Sequence, residues 1–161
     1  MPVSCTYTLN NSPLSTFVCL GMGSFTAFSG MPKDRNNPTA TDHPDSGPLL
    51  AGKYYIVDRE SGGNLGWLYD SFRTHAYGTD RDTWFALYRE DDLINDQTFV
   101  KGVKRGAFRL HPIGPARRSA GCITFTDPKQ YDQLRAHLVK NGATMPVPGT
   151  TLKAYGTVEV K

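Results

Sequence analysis

The segment FRLHPIGPARRSAGCITF, residues 108–125, decides how the chain is read. One apolar run ends in a histidine, a second begins with a cysteine, and the residues between them are rich in Pro, Gly and Arg. Successive side chains of a strand point to opposite faces. In AFRLH (107–111), Phe108 and Leu110 share one face and Arg109 and His111 the other. In CITFT (122–126), Ile123 and Phe125 share a face, and Cys122 and Thr124 take the opposite one. If both strands lie in one sheet and turn Phe108, Leu110, Ile123 and Phe125 to a core, His111 and Cys122 fall together on the other face. A slip of one residue in either strand would send one of the pair into the core. The wide loop 112–121 brings the strand ends together.

The surrounding chain is also rich in strand formers. VSCTYTL (3–9), STFVCL (15–20) and SFTAFS (24–29) are short β runs separated by the turn residues NNSP and GMG. A hairpin centred on NNSP sets Cys5 opposite Cys19, near enough for contact and in some hairpins for a disulfide. The plainer reading is two small buried residues. KYYIVDRE (53–60), LGWLYDSF (65–72) and DTWFALYRE (82–90) are further strands, and TLKAYGTVEV (151–160) is a last one interrupted by Gly156.

Only DPKQYDQLRAHLVKNG (127–142) reads as a helix. Asp127 is its N-cap and Pro128 its first residue, Tyr131, Leu134 and Leu138 make one apolar stripe, and Asn141-Gly142 stops it. The expectation is a mostly β (β-rich α+β) single domain over 1–161 with one helix near 127–141. Neither an internal repeat nor an interdomain linker is visible. Residues 30–52 form a polar, Pro-rich loop, and a loop of that length is often a functional flap.

Composition narrows the function classes. The chain has 161 residues, 39% hydrophobic and 20% charged, which is a globular rather than a disordered balance. Net charge is +3, and only KGVKR (101–105) and ARR (116–118) are local basic clusters. That is no nucleic-acid footprint, and it mildly favours an anionic partner. No apolar run approaches the ~20 residues that span a bilayer. The N-terminal segment lacks the basic and apolar regions of a Sec-type signal, so the chain stays in the cytoplasm or leaves by a route without a cleaved signal. Three cysteines without a CxxC or Cys/His spacing, and scattered His43, His75, His111 and His137, imply neither a disulfide framework nor a metal. No cofactor is expected, and nothing implies an obligate oligomer.

The His111–Cys122 pair carries the chemical question. A nucleophilic thiol acts as thiolate, and free Cys has a pKa of roughly 8.5. An imidazole nearby can take the proton. Arg117 and Arg118 add positive potential in the same direction. Gly121, without a side chain, would let a carbonyl approach the N–H groups of 121 and 122, a candidate oxyanion hole. Against this, free Cys usually behaves as a small buried hydrophobe, and a His beside Pro at a strand end is often plain polar loop. Spacing and face leave both readings open.

His111 followed by Ser119-Ala120-Gly121-Cys122 resembles the active-site signature of L,D-transpeptidases, cysteine enzymes acting on peptidoglycan stem peptides. Their signature has a second His where Ala120 stands, and a longer spacing from the base. The shorter form is similar to the type VI secretion L,D-transpeptidase effector family. FTAFSG (25–30), NNP (36–38), GPLLAGKYYIVDRESGGNLG (47–66) and GAFRLHP (106–112) look like the same branch. The likeness spans about residues 24 to 126.

The resemblance implies an L,D-transpeptidase-like β-sandwich or barrel catalytic domain. Cys122 would attack the L-centre carbonyl of meso-diaminopimelate in a tetrapeptide stem and expel D-alanine, with His111 as acid and base. Hydrolysis of the thioester is L,D-carboxypeptidase activity, and attack by a D-amino acid is exchange. The protein would be an antibacterial effector, made without a Sec signal, passed to secretion machinery and acting in a rival's periplasm. Its partners would be peptidoglycan stem peptides and an immunity protein blocking the cleft. Ser119 is a candidate to orient His111 or line the site, and Arg118 or Arg117 to bind a stem carboxylate. Tyr54, Tyr55 and Trp67 are candidates for the groove wall, although core packing suits them as well. His75 is a candidate supporting residue and the 30–52 loop a candidate cap. A sortase-like transpeptidase and a non-catalytic wall-binding module are the alternatives. A sortase needs an Arg downstream of its Cys, and only Arg135, in the helix, follows Cys122.

Overall fold

The computed structural model describes residues 2–59, 83–115 and 119–161. The strand expected over 65–72, together with Trp67, His75, Arg117 and Arg118, lies outside the described residues.

Eight strands close into a barrel in the order β1-β12-β4-β5-β8-β9-β3-β2. They are β1 (Val3–Tyr7), β2 (Ser15–Cys19), β3 (Gly23–Phe28), β4 (Gly52–Asp58), β5 (Phe85–Arg89), β8 (Arg109–Pro112), β9 (Ile123–Phe125) and β12 (Gly156–Val160). β1–β12 and β8–β9 pair in parallel. The remaining barrel neighbours are antiparallel. The mostly β expectation with a single helix thus holds for the described residues.

The core fills the barrel. Phe108, Leu110, Ile123 and Phe125 belong to it, with Phe17, Phe25, Tyr54, Ile56 and Val158. The face read from alternation is therefore the inward one. Phe125 sits at the centre of an aromatic cluster, its ring 5.1 Å from Phe17, 5.5 Å from Phe25 and 5.6 Å from Tyr131. Burying each such ring stabilises the fold by about 1.5–3 kcal/mol.

The helix α1 (Pro128–Asn141) begins at the Asp127 cap, whose carboxylate accepts from the Lys129 N–H at 3.0 Å. Tyr131, Leu134 and Leu138 are its buried stripe, as the spacing requires. The Tyr131 hydroxyl donates to the carbonyls of Thr83 (2.6 Å) and Leu110 (2.9 Å), which fixes the helix against the end of β8.

Register in the first hairpin is the one expected from NNSP: Cys5 pairs with Cys19. Both thiols are free and buried in the barrel. Cys5 hydrogen-bonds to the Cys19 sulfur, which raises the Cys5 pKa and lowers that of Cys19.

Two strand pairings escape a sequence reading. β6 (Gln97–Val100) and β7 (Val103–Gly106) form a hairpin outside the barrel, and β10 (Met145–Pro146) pairs with β11 (Lys153–Ala154). The 151–160 strand is broken as expected, and the close contact is the reason. β1 crosses at Gly156, where a Cβ would lie 1.9 Å from the Val3 carbonyl oxygen.

Candidate active site

β8 and β9 run in parallel with Leu110 opposite Ile123 and His111 opposite Thr124. Leu110 and Ile123 point into the barrel, so His111 and Thr124 stand together on its outer surface. Cys122 directly precedes β9, two residues from Thr124 and on the same face. It belongs to neither apolar cluster, unlike Cys5 and Cys19, which lie in the barrel core. The parallel orientation leaves Cys122, at the start of β9, diagonally placed from His111.

His111 is fully buried and held on three sides. Its Nδ1 lies 2.7 Å from the Pro112 carbonyl oxygen. A carbonyl only accepts, so Nδ1 carries a proton and Nε2 is the ring nitrogen left to face other groups. Thr124 Oγ1 lies 3.3 Å from Nε2. The Trp84 ring stacks on the imidazole, with centroids 4.1 Å apart and planes 17° from parallel. β5 pairs Phe85 with Leu110, and continuing that register by one residue brings Trp84 beside His111. The Pro112 contact at Nδ1 and the stacked indole set the ring so that Nε2 faces Thr124.

The turn carrying Cys122 is fixed by Ser119 and Gly121. Ser119, fully buried, donates to the Cys122 carbonyl oxygen at 2.7 Å and accepts from the Gly30 N–H at 3.1 Å. Its hydroxyl tethers the turn to the 30–51 loop instead of orienting His111. Gly121 has φ +108°, where an L side chain is strained. A Cβ there would lie 2.7 Å from Arg105 Nη2 and 2.7 Å from a ring carbon of Phe108. Glycine is thus demanded by packing as well as by the backbone.

Among the described residues Arg105 is the positive group beside the Cys122 turn; Arg117 and Arg118, expected in that role, lie outside the described residues. It is 3% exposed, its guanidinium 5.4 Å above the Phe108 ring. Nη1 donates to the carbonyls of Thr41 and Pro48, and Nη2 to that of Gly47 at 3.0 Å. The 30–51 loop therefore packs onto the Cys122 turn through Arg105 and Ser119. Burial lowers the Arg105 pKa, while Tyr54, Cys122, Asp45 and Asp42 as anions raise it. The interaction is mutual, so Arg105 favours the Cys122 thiolate.

Tyr54, a candidate groove residue, lies inside the barrel. It is fully buried, its hydroxyl donates to the Leu50 carbonyl at 2.8 Å, and its ring meets Phe108 edge-on at 5.9 Å. Burial pushes its pKa upward. It presents no surface to a substrate. Tyr55 faces outward, but the second apolar cluster, with Val147 and Ala154 from the β10–β11 region, covers it.

Trp84, Thr124 and Arg105 are the site residues that sequence reasoning did not single out. Trp84 and Thr124 carried a usable signal, since both fall on the non-core face by simple alternation. Arg105 carried none beyond membership of a basic cluster. Among the described residues no group of His, Cys, Asp and Glu is arranged to hold a metal ion. No described helix is long and apolar enough to cross a membrane.

A family model described as the Tlde1 domain matches residues 23–150, which include every site residue described above. No curated protein matches the chain.

Proposed function

The chain belongs to the Tlde1 family, the type VI secretion L,D-transpeptidase effectors, and on that premise we propose that it is a cysteine L,D-carboxypeptidase and L,D-transpeptidase of peptidoglycan tetrapeptide stems. The observation that carries this reading is the row on the outer barrel face. Trp84, His111 and Thr124 stand side by side, with Cys122 two residues before Thr124 and Arg105 packed against its turn.

His111 Nε2 accepts the Cys122 thiol proton, and the Arg105 charge stabilises the resulting thiolate. The thiolate attacks the L-centre carbonyl of diaminopimelate. Backbone N–H groups at 121 and 122 donate to the oxyanion. Collapse breaks the bond to D-alanine, whose amine leaves with the His111 proton, and a thioester remains on Cys122. Water then yields a tripeptide stem, or a D-amino acid yields an exchanged tetrapeptide. Either product removes donors for wall crosslinking. The protein acts as an antibacterial toxin in a rival's periplasm, delivered by secretion machinery, and its producer is protected by an immunity protein that covers the site.

One observation favours a competing reading. Cys122 and His111 are both fully buried, as a non-catalytic wall-binding module would allow. The deciding experiment incubates disaccharide-tetrapeptide with the protein and with Cys122→Ala, with and without excess D-methionine, and reads products by mass spectrometry. Loss of D-alanine, or its replacement by D-methionine, that disappears in Cys122→Ala supports the cysteine mechanism. Unchanged tetrapeptide in every tube supports the binding module.

A further inference from the structure

We propose that Arg35 anchors a carboxylate on the acyl-donor side of the stem peptide, an inference that rests on the substrate class given above. A cavity of about 620 Å³ opens beside the catalytic row, lined by Leu14, Phe28, Arg35, Ile113, Pro115 and Thr126 among others. Phe28 pairs with Thr124 across β3–β9, and Thr124 pairs with His111 across β9–β8. Phe28, Thr124 and His111 therefore lie in one cross-strand row. At ~4.8 Å between strands, Phe28 stands about 10 Å from His111.

Arg35 sits on that end of the row. Its guanidinium carbon lies 4.0 Å over the Phe28 ring, and its Nε donates to the Gly30 carbonyl at 3.2 Å. Two contacts thus fix the plane of the guanidinium. Neither terminal nitrogen makes a hydrogen bond or ion pair among the described residues. Leu14, Ile113 and Pro115 supply apolar walls that strengthen an ionic contact by excluding water. Gly30 also donates its N–H to Ser119, which holds the Cys122 carbonyl. The cation and the nucleophile's turn are thereby tied to the same residue.

A guanidinium oriented in advance loses little freedom on binding and matches a carboxylate through two parallel hydrogen bonds. Distance selects which carboxylate. The leaving D-alanine's own carboxylate is one residue from the scissile carbonyl, ~3.5 Å at full extension, which falls well short of the Arg35 end of the row. The carboxylates of the D-glutamyl residue and the diaminopimelate side chain lie several bonds further along the donor and reach it.

The test measures binding and turnover separately. Calorimetry compares the Cys122→Ala protein with Cys122→Ala/Arg35→Gln and Cys122→Ala/Arg35→Lys. The ligands are the tetrapeptide and a tetrapeptide amidated at those two donor carboxylates. Arg35→Gln should weaken tetrapeptide binding about tenfold or more, Arg35→Lys should fall between, and the amidated peptide should bind all three proteins equally weakly. Circular dichroism melting checks that the variants keep the fold. In the active protein, Arg35→Gln should raise KM by a similar factor and leave kcat within about twofold. Equal tetrapeptide affinity with and without Arg35, or equal losses for both peptides, would overturn the assignment. Arg35-dependent binding without wild-type turnover would uphold this subsite and sink the proposed activity. Turnover with Arg35-independent binding would do the reverse.

Discussion

Replacing Ser119 with alanine removes a single oxygen atom and strands two buried groups. The hydroxyl donates to the Cys122 carbonyl at 2.7 Å and accepts from the Gly30 N–H at 3.1 Å. An unsatisfied buried donor or acceptor costs about 1–3 kcal/mol, so the pair amounts to about 2–6 kcal/mol. Partial relaxation of the 30–51 loop brings the expected loss to about 2–4 kcal/mol. With a urea slope near 2 kcal/mol per M, the unfolding midpoint should fall by about 1–2 M without a change of slope. The assay is urea unfolding followed by fluorescence under reducing conditions, with Ser119→Thr as the variant that keeps a hydroxyl. Turnover by the folded protein should also fall, because the turn carrying Cys122 loses its tether to Gly30. A midpoint within about 0.3 M of wild type would refute the reasoning, since the two hydrogen bonds would then contribute nothing measurable. A full stability loss with wild-type turnover would reduce Ser119 to a scaffold residue.

Gly121→Ala should destabilise by about 2–4 kcal/mol and abolish activity, because φ +108° strains the backbone and the new methyl overlaps Arg105 and Phe108. Thermal melting with a parallel activity assay checks it, and a near-native melting temperature would contradict the packing described. Arg105→Gln removes the cation that favours the Cys122 thiolate. Less thiolate then exists at any pH below the thiol pKa, so the alkylation rate-versus-pH curve for Cys122 should move to higher pH; no shift, or a shift to lower pH, would exclude Arg105 from activating the thiol. Cys5 and Cys19 are directly opposed across β1–β2, and Cys19 is the more acidic thiol. Refolding in a glutathione disulfide buffer should therefore join them, with a loss of two hydrogens by mass. A ring of about 15 residues should raise the melting temperature by about 6–12 °C, an effect absent in Cys5→Ala; three free thiols after refolding would contradict the register.

The parts of this molecule that were legible in its sequence are those set by local alternation and caps. Phe108, Leu110, Ile123 and Phe125 alternate cleanly, so the core face of β8 and β9 and the outward placement of His111 followed from period two alone. Asp127-Pro128 announced α1, and the centring of NNSP fixed Cys5 against Cys19. Other features depend on tertiary partners. The parallel sense of β8–β9 comes from barrel closure, which no local pattern specifies. The β6–β7 hairpin was masked by its own charge: Lys101 (φ 50°) and Gly102 (φ 75°) make a tight primed turn, but KGVKR reads first as a basic cluster. Tyr54 and Tyr55 are both buried because β4 is covered on each face, by the barrel core and by the β10–β11 region, so alternation there does not separate groove from core. Arg105 lies next to Cys122 only because the 30–51 loop folds carbonyls around its guanidinium.

The most direct test of the account is to trap the acyl-enzyme. The protein is mixed with disaccharide-tetrapeptide, quenched in acid within the first turnovers, and examined by intact-mass and peptide-mapping mass spectrometry. The account predicts an adduct equal to the stem lacking D-alanine, located on Cys122 and absent from Cys122→Ala, with His111→Ala showing little or none. Consumption of tetrapeptide with no adduct on Cys122, or undiminished turnover by Cys122→Ala, would contradict it.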